Sequence, residues 1–173
     1  MTIDVVCLDF EASGLAPASY PIEVAIVDVV TCKVQSWLIR PTDVWLQRGG
    51  WMPEAEVIHG LSLQRLITEG VPVEAVAQQL TSALRGRRVL SDRKESDSKW
   101  LRDLYAAIGL PTPPFLLEDF YAFAKQVASL VNCHADTAFA KAEAEAWLKF
   151  PIPHRAEPDA KRNAEILRIL KGD

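Results

Sequence analysis

The sequence predicts a single α/β domain in which helices flank a mixed β-sheet. Three observations lead to this prediction. Three short apolar runs follow one another near the start, further runs then alternate with helical patterns, and only helical patterns remain at the end. Closely spaced strands favour an antiparallel meander, whereas strands separated by helices favour parallel pairing. We therefore expect a three-strand antiparallel meander extended by parallel strands.

The first forty residues carry the predicted meander. Residues 3–10 form an apolar run with β-branched members, which is typical of a strand buried on both faces. After a loop rich in Gly, Pro and Ser, residues 22–30 and 33–39 predict two more strands joined tightly around Thr31 and Cys32. A connection this short indicates an antiparallel hairpin.

The rest of the chain alternates helical and strand patterns and then ends in helices. Apolar residues that recur at a helical period predict most of the helices, and a proline at the first position predicts a short one. The predicted helices span residues 53–58, 72–84, 98–108, 120–130, 137–148 and about 157–170, with strands at 89–91 and 115–117. All 173 residues fit one domain of usual size.

The composition is that of a globular protein, with 49% hydrophobic and 24% charged residues. Residues 1–4 carry an acid where a signal peptide would carry basic residues. No stretch approaches the roughly 18–20 apolar residues of a membrane span. Cys7, Cys32 and Cys133 fit neither a disulfide framework nor a CxxC metal site, and we expect buried thiols. The protein is therefore expected to be cytoplasmic, with no membrane partner.

The net charge of −4 argues against strong long-range attraction to nucleic acid. The basic residues nevertheless cluster along the chain. The clusters are Arg85, Arg87 and Arg88; Arg93, Lys94, Lys99 and Arg102; and Arg155, Lys161, Arg162, Arg168 and Lys171. A nucleic-acid partner thus remains compatible with the charge.

Two acids, Asp9 and Glu11, lie at the end of the first predicted strand. Residues i and i+2 of a strand project to the same face, so both carboxylates point to one side. Such a pair is costly in a core strand unless it binds something, and a hard divalent cation prefers oxygen ligands. Alternatively, the two acids mark the solvated end of the strand.

Two further segments carry acids or a histidine near a predicted helix start. Asp92 and Asp97 follow the fourth strand, although Asp97 also fits a helix-start acid and Asp92 a turn cap. Later, His154 precedes Asp159 where a loop enters the last helix, with Pro158 suited to the first helical position. An imidazole can act as a base and a carboxylate as a metal ligand. A surface histidine beside a helix-start acid is the alternative.

Taken together, these segments resemble the DEDDh family of 3′–5′ exonucleases, whose domain is RNase H-like. The resemblance rests on three motifs in the family's order and spans residues 3 to about 168. They are Asp9-Phe10-Glu11-Ala12-Ser13-Gly14-Leu15, Ser91-Asp92-x4-Asp97-x2-Trp100-Leu101 and His154-x4-Asp159. The chain departs from the family at Ala12, where Thr is common, and at Ser91, Asp92 and Ser96, where many members have Asn and Phe.

The resemblance implies hydrolysis of phosphodiester bonds by two Mg²⁺ or Mn²⁺ ions, with nucleoside 5′-monophosphates as products. Asp9 would bridge both ions, Glu11 and Asp159 would hold one, and Asp97 would support the other through water. His154 would take the proton of the attacking water.

The resemblance also implies where a substrate lies. Ser13, Gly14 and Leu15 would line the 3′-terminal nucleotide, with Leu15 beside its base. His59 belongs to a segment that resembles one near the family's nucleotide, although it fits a histidine packing a turn equally well. Trp45 and Trp51 flank two glycines in a predicted loop and are candidates for base stacking.

The implied partners are 3′ ends of single-stranded DNA or RNA, or short oligonucleotides. Two alternatives stay open. One is a non-catalytic binding or scaffold protein on the same fold, and the other is an endonuclease.

Overall fold

The computed structural model describes residues 4–131 and 134–172, which form a five-stranded sheet and eight helices. The strands are β1 Val5–Ala12, β2 Pro21–Asp28, β3 Val34–Leu38, β4 Arg88–Ser91 and β5 Leu117–Asp119. Their order in the sheet is β3-β2-β1-β4-β5. Strands β1, β2 and β3 pair antiparallel, whereas β4 pairs parallel with both β1 and β5. The predicted meander with parallel strands is confirmed.

The helices pack on both faces of this sheet. They are α1 Asp43–Arg48, α2 Pro53–His59, α3 Leu63–Glu69, α4 Val73–Leu84, α5 Lys94–Ala106, α6 Phe120–Val131, α7 Ala135–Lys149 and α8 Ala156–Lys171. None of the helices in the described ranges is both long enough and apolar enough to cross a membrane.

Strand β1 lies at the centre of the sheet, and its side chains alternate between two cores. Val6 and Leu8 join the core that contains α4 and α5. Val5 and Cys7 join the core that contains α6, α7 and α8. Asp9 and Glu11 share the parity of Val5 and Cys7, so they project toward the side on which α8 packs.

Several predicted boundaries move in the structure. β5 begins at Leu117 instead of residue 115, because Leu117 is the residue that pairs with Val89 of β4. Helix α5 begins at Lys94, four residues earlier than predicted. Helices α1 and α3 were not predicted, since six or seven residues are too few to establish a helical period. Their amino-terminal N–H groups are capped by the side chains of Thr42 and Ser62.

Two predictions about buried residues are wrong. Cys7 is buried as expected, but Cys32 is exposed, because it occupies the tight turn between β2 and β3 with a positive φ of 58°. Cys133 lies outside the described residues. Trp45 is buried in α1 and stacks on Tyr20 with ring centroids 5.6 Å apart, so it is a core residue and no platform for bases.

Candidate active site

The fold gathers five carboxylates into two overlapping groups that share Asp9. Ligand oxygens of Asp9, Asp92 and Asp97 all lie within 4.8 Å of one another, and so do those of Asp9, Glu11 and Asp159. Oxygens around one Mg²⁺ ion lie about 2.0–2.1 Å from it, so two of them are at most about 4.2 Å apart. Small side-chain adjustments would therefore close either group around a cation.

Three parts of the chain deliver these acids. Strand β1 supplies Asp9 and Glu11, and the end of the adjacent parallel strand β4 leads into Asp92. Asp97 lies in the first turn of α5, not ahead of the helix as predicted, because α5 begins at Lys94. Asp159 lies in the first turn of α8, as predicted, but Pro158 is the third helical residue and not the first.

The carboxylates of Asp9 and Asp92 are poorly satisfied. Asp9 is only 6% exposed, and its Oδ2 atom is buried without a hydrogen-bond partner within the described ranges. Asp92 Oδ1 is likewise buried without a hydrogen-bond partner in those ranges. Burying a charge without a partner is costly, so the site lacks positive charge in its centre.

Burial and the repulsion between neighbouring carboxylates raise the pKa values of Asp9, Glu11 and Asp97. Burial, and then the carboxylates of Asp97 and Asp92, raise the pKa of Asp9 well above its ordinary value. Burial, followed by the charges of Asp159 and other acids, raises the pKa of Glu11 to about 8. Burial also raises the pKa of Asp97 to about 8, although Ser91 Oγ donates a 2.6 Å hydrogen bond to its Oδ2 atom. A bound divalent cation would reverse these effects.

Asp159 differs from the other acids because the chain itself supplies it with a cation. The guanidinium of Arg162 forms an ion pair with Asp159 Oδ1. Arg162 also donates to the carbonyl oxygens of Phe150 and Ile152, both at 3.0 Å, and lies over the ring of Trp147. It therefore ties the first turn of α8 to the loop that carries His154.

His154 lies beside the cluster on that loop. Its backbone N–H donates a 3.0 Å hydrogen bond to Asp159 Oδ2, and its φ of 59° bends the chain there. The residue is exposed, so the imidazole faces solvent. The structure thus brings His154 next to Asp159, and its backbone holds that position.

A partly buried ion pair between Arg155 and Glu23 supports the loop at His154. The guanidinium of Arg155 donates to both carboxylate oxygens of Glu23, at 2.9 and 2.6 Å, and the N–H of Ala156 donates to the same carboxylate at 3.0 Å. Glu23 is 2% exposed and is the β2 partner of Glu11. The start of α8 is thereby fixed to the strand beside Glu11.

The predicted substrate-binding residues differ in how exposed they are. Leu15 is 89% exposed after β1, and Gly14 packs so closely on Met52 that a Cβ atom would clash with it. Ser13, however, is fully buried. Its N–H donates to Tyr20 O, its carbonyl accepts from Met52 N–H, and its Oγ donates to Gly50 O. Ser13 thus holds the loop together, and contact between Ser13 and a nucleotide stays a prediction.

His59 is buried at the carboxyl end of α2. Its Nδ1 atom accepts the N–H of Leu61 at 3.0 Å, and its ring meets Trp51 edge-on. Burial lowers the pKa of His59, which favours the neutral imidazole. These contacts match a histidine that packs a turn, although its Nε2 atom is buried without a partner in the part of the chain described.

Most of the basic side chains in the predicted clusters are neutralised within the protein. Arg87 pairs with Asp4 and Asp28, and Arg88 pairs with Glu118. The other ion pairs are Lys99–Asp103, Arg155–Glu23, Lys161–Glu157, Arg162–Asp159 and Arg168–Glu165. Seven of the twelve basic residues in these clusters are therefore paired, which leaves less of their positive charge available to a polyanion.

Glu23 is a residue beside the site that sequence reasoning missed, whereas Asp92 was considered together with Asp97 but not counted among the metal ligands. The signal for Asp92 was its place directly after a buried parallel strand, where ligand sites of α/β sheets form. The signal for Glu23 was a lone acid between the apolar residues Ile22 and Val24 in a strand pattern.

Comparisons with known proteins reveal likeness only at the level of structure. No protein-family profile and no curated protein sequence matches the chain. An apo structure of exonuclease I superposes with a TM-score of 0.69 at 14% identity, over 99% of this chain and 42% of that one. E. coli exonuclease I in complex with a dT13 oligonucleotide gives 0.68 at 14% identity, over 96% and 41%. The zinc-bound E. coli exonuclease I–single-stranded DNA complex gives 0.69 at 15% identity, over 99% and 41%.

These likenesses establish the fold. The chain spans about two fifths of the length of the exonuclease I structures that it matches. At this level of identity the superposition confirms the predicted RNase H-like fold, a mixed five-stranded sheet flanked by helices.

Proposed function

We propose that the protein is a metal-dependent 3′–5′ exonuclease that releases nucleoside 5′-monophosphates from single-stranded nucleic acid. The observation that carries the proposal is the position of Asp9 as the common member of two carboxylate groups. Two cations about 3.5–4 Å apart, bridged by one carboxylate, are the arrangement used in two-metal phosphodiester hydrolysis.

The donor set fits Mg²⁺ or Mn²⁺. All of its ligand atoms are carboxylate oxygens, which these hard cations prefer to nitrogen or sulfur. The buried, unpartnered Oδ2 atom of Asp9 needs the positive charge that such an ion brings. Asp9, Glu11 and Asp159 would hold one ion, and Asp9 with Asp97 would hold the other. When bound, the two ions would promote attack by water and stabilise the charge on the leaving oxygen.

The chain's own residues would complete the reaction. His154 is exposed beside Asp159, where its imidazole can take a proton from the attacking water. Its backbone hydrogen bond to Asp159 and the pair Arg155–Glu23 keep the loop in position. The exposed side chain of Leu15 and the backbone of Gly14 would contact the 3′-terminal nucleotide.

The structural neighbours are consistent with a single-stranded substrate. The E. coli exonuclease I structures include complexes with a dT13 oligonucleotide and with single-stranded DNA and zinc. The proposal for this chain covers 3′ ends of DNA or RNA and short oligonucleotides.

Two singly labelled strands of the same sequence test the proposal directly. One oligonucleotide carries a label at its 5′ end and another carries it in the 3′-terminal nucleotide, and both are incubated with Mg²⁺ or Mn²⁺. We expect labelled mononucleotide from the 3′-labelled strand at once, and a descending ladder from the 5′-labelled strand. Excess EDTA should stop both reactions.

The same assay separates the alternatives. Internal fragments without early mononucleotide would indicate an endonuclease. Retention of the strand without products, in an assay supplemented with either cation, would indicate a binding protein. Either result would overturn the proposal.

A further inference from the structure

Asp92 enters the acidic cluster because of the register between β4 and β1. In this parallel pair, Leu90 is the partner of Cys7. If this register is continued two residues past the last paired residues, Asp92 lies opposite Asp9. Leu90 and Cys7 both belong to the core on the α8 side, so Asp92 shares the side of Asp9 by the same alternation. The sheet itself therefore places the two carboxylates together.

The turn after β4 does not need Asp92 as its cap. The N–H of Arg93 donates a 3.1 Å hydrogen bond to Ser91 Oγ, and Ser91 Oγ in turn donates to Asp97. Ser91 thus organises the turn and occupies one oxygen of Asp97. Asp92 Oδ1 is left buried without a hydrogen bond in the described residues, although the side chain of Asn163, whose Nδ2 atom is also unpartnered, lies beside this carboxylate. A structural carboxylate would not be expected to bury an unpaired oxygen, because that costs free energy.

A cation bound by both Asp9 and Asp92 would remove the free-energy cost of their unpaired buried oxygens. Asp9 Oδ2 and Asp92 Oδ1 are both buried and unpartnered, and both residues belong to the group that includes Asp97 within 4.8 Å. One cation in this group would satisfy both oxygens.

We propose that Asp92 is a direct ligand of the cation held by Asp9 and Asp97, so that this ion has three carboxylates around it. This inference rests on the proposed two-cation function and extends it. The motif that the sequence resembles supports this ion through Asp97 in addition to the bridging Asp9. The second ion of this protein is therefore held by a more anionic set than the motif implies.

Mn²⁺ binding by the metal-free protein tests the role of Asp92 without any assay of turnover. Calorimetry and electron paramagnetic resonance of free Mn²⁺ give the number of ions and their affinities. We expect the wild-type protein to bind two ions. Asp92→Asn should weaken one of them by at least about 100-fold, more than the 10–100-fold typical of a residue that acts through another ligand. The ion held by Asp9, Glu11 and Asp159 should keep its affinity.

Two variants serve as matched comparisons. Asp159→Asn should weaken the other ion and spare the one at Asp92, so that each variant loses a different ion. Asp136→Asn changes an acid on the exposed start of α7 and should bind two ions as the wild type does. If Asp92→Asn does not fold, Asp92→Ser provides the same test with a smaller neutral side chain.

The outcomes separate this inference from the proposed function. Two ions bound to Asp92→Asn with wild-type affinities would overturn the role of Asp92 alone. A wild-type protein that binds two ions but cleaves no strand would overturn the proposed function, and the loss of one ion in Asp92→Asn would still establish the ligand. A wild-type protein that binds no Mn²⁺ would overturn both.

Discussion

Arg155 and Glu23 lie 132 positions apart in the chain, yet the guanidinium of Arg155 meets both carboxylate oxygens of Glu23, at 2.9 and 2.6 Å. The pair joins the start of α8 to β2, the strand that presents Glu23 opposite Glu11. His154 is the residue before Arg155. The position of His154, the proposed base, thus depends on a contact between two residues that lie far apart in the sequence.

Replacing Arg155 should destabilise the protein more than replacing a surface arginine. Arg155→Met leaves the buried Glu23 carboxylate with only the N–H of Ala156, and we expect a loss of about 1–3 kcal/mol in the free energy of unfolding. The guanidinium is one-third exposed, so water replaces part of the interaction. Arg65→Met removes an exposed pair with Glu69 and should cost less than about 1 kcal/mol. Equal losses in urea denaturation would contradict this role.

Asp9→Asn should abolish turnover and weaken binding of both cations, because Asp9 belongs to both carboxylate groups. The fold should be intact, with a melting temperature at or above that of the metal-free wild type, since the substitution removes a buried charge among like charges. Activity, Mn²⁺ titration and thermal melting in EDTA provide the three measurements. Cleavage at the wild-type rate in excess EDTA would exclude a metal mechanism.

The metal-free protein should lose stability as the pH rises from about 5 to 8. Unfolding returns Glu11 and Asp97 to ordinary pKa values near 4, whereas both are about 8 in the folded protein. Between these values the unfolded chain binds fewer protons than the folded one, so the free energy of unfolding falls with pH. Against the effect of burial, the N–H of Thr31 and then Arg87 lower the pKa of Asp28, and Arg88 lowers the pKa of Glu118. Both acids therefore act only below this window.

Thermal melting in EDTA provides the measurement for this pH dependence. We expect the melting temperature to fall by about 5 °C or more between pH 5 and pH 8. Saturating Mn²⁺ should remove most of the fall, and Glu11→Gln should reduce it. A melting temperature that rises across this range would refute the explanation.

His154→Ala should lower kcat/KM by roughly 10²–10⁴-fold, the usual contribution of a positioned base, without loss of metal binding. His134→Ala is the matched control and should behave as the wild type. Near-wild-type activity of His154→Ala, or loss of its cations, would show that His154 is not the base.

A free 3′ hydroxyl should be required at the end that is degraded. Under the proposed function the terminal hydroxyl would lie next to Glu11, where a 3′-phosphate would add negative charge to a site already rich in carboxylates. A 3′-phosphorylated strand should therefore resist degradation, whereas a 5′-phosphorylated strand of the same sequence should be degraded normally. Release of nucleotides from the 5′ end would contradict the proposed polarity.

The sequence by itself determined the features that depend on neighbouring residues. The apolar run of β1 and the i, i+2 spacing of Asp9 and Glu11 fixed a buried strand with two acids on one face. The helical periods fixed α4, α6 and α8 to within one residue at each end. Alternation along a strand and the turn of a helix are local geometry, and so they are readable from spacing alone.

Only the tertiary structure decided which distant groups meet. The parallel register of β4 and β1 brings Asp92 close to Asp9. Strand β5 begins at Leu117, the residue that pairs with Val89 of β4. Ser13 donates a hydrogen bond to the carbonyl oxygen of Gly50, and the ion pair of Arg155 with Glu23 holds the loop at His154. These contacts join segments far apart in the chain, so no local spacing encodes them. They form because a buried polar group gains stability only where the packed fold supplies its partner.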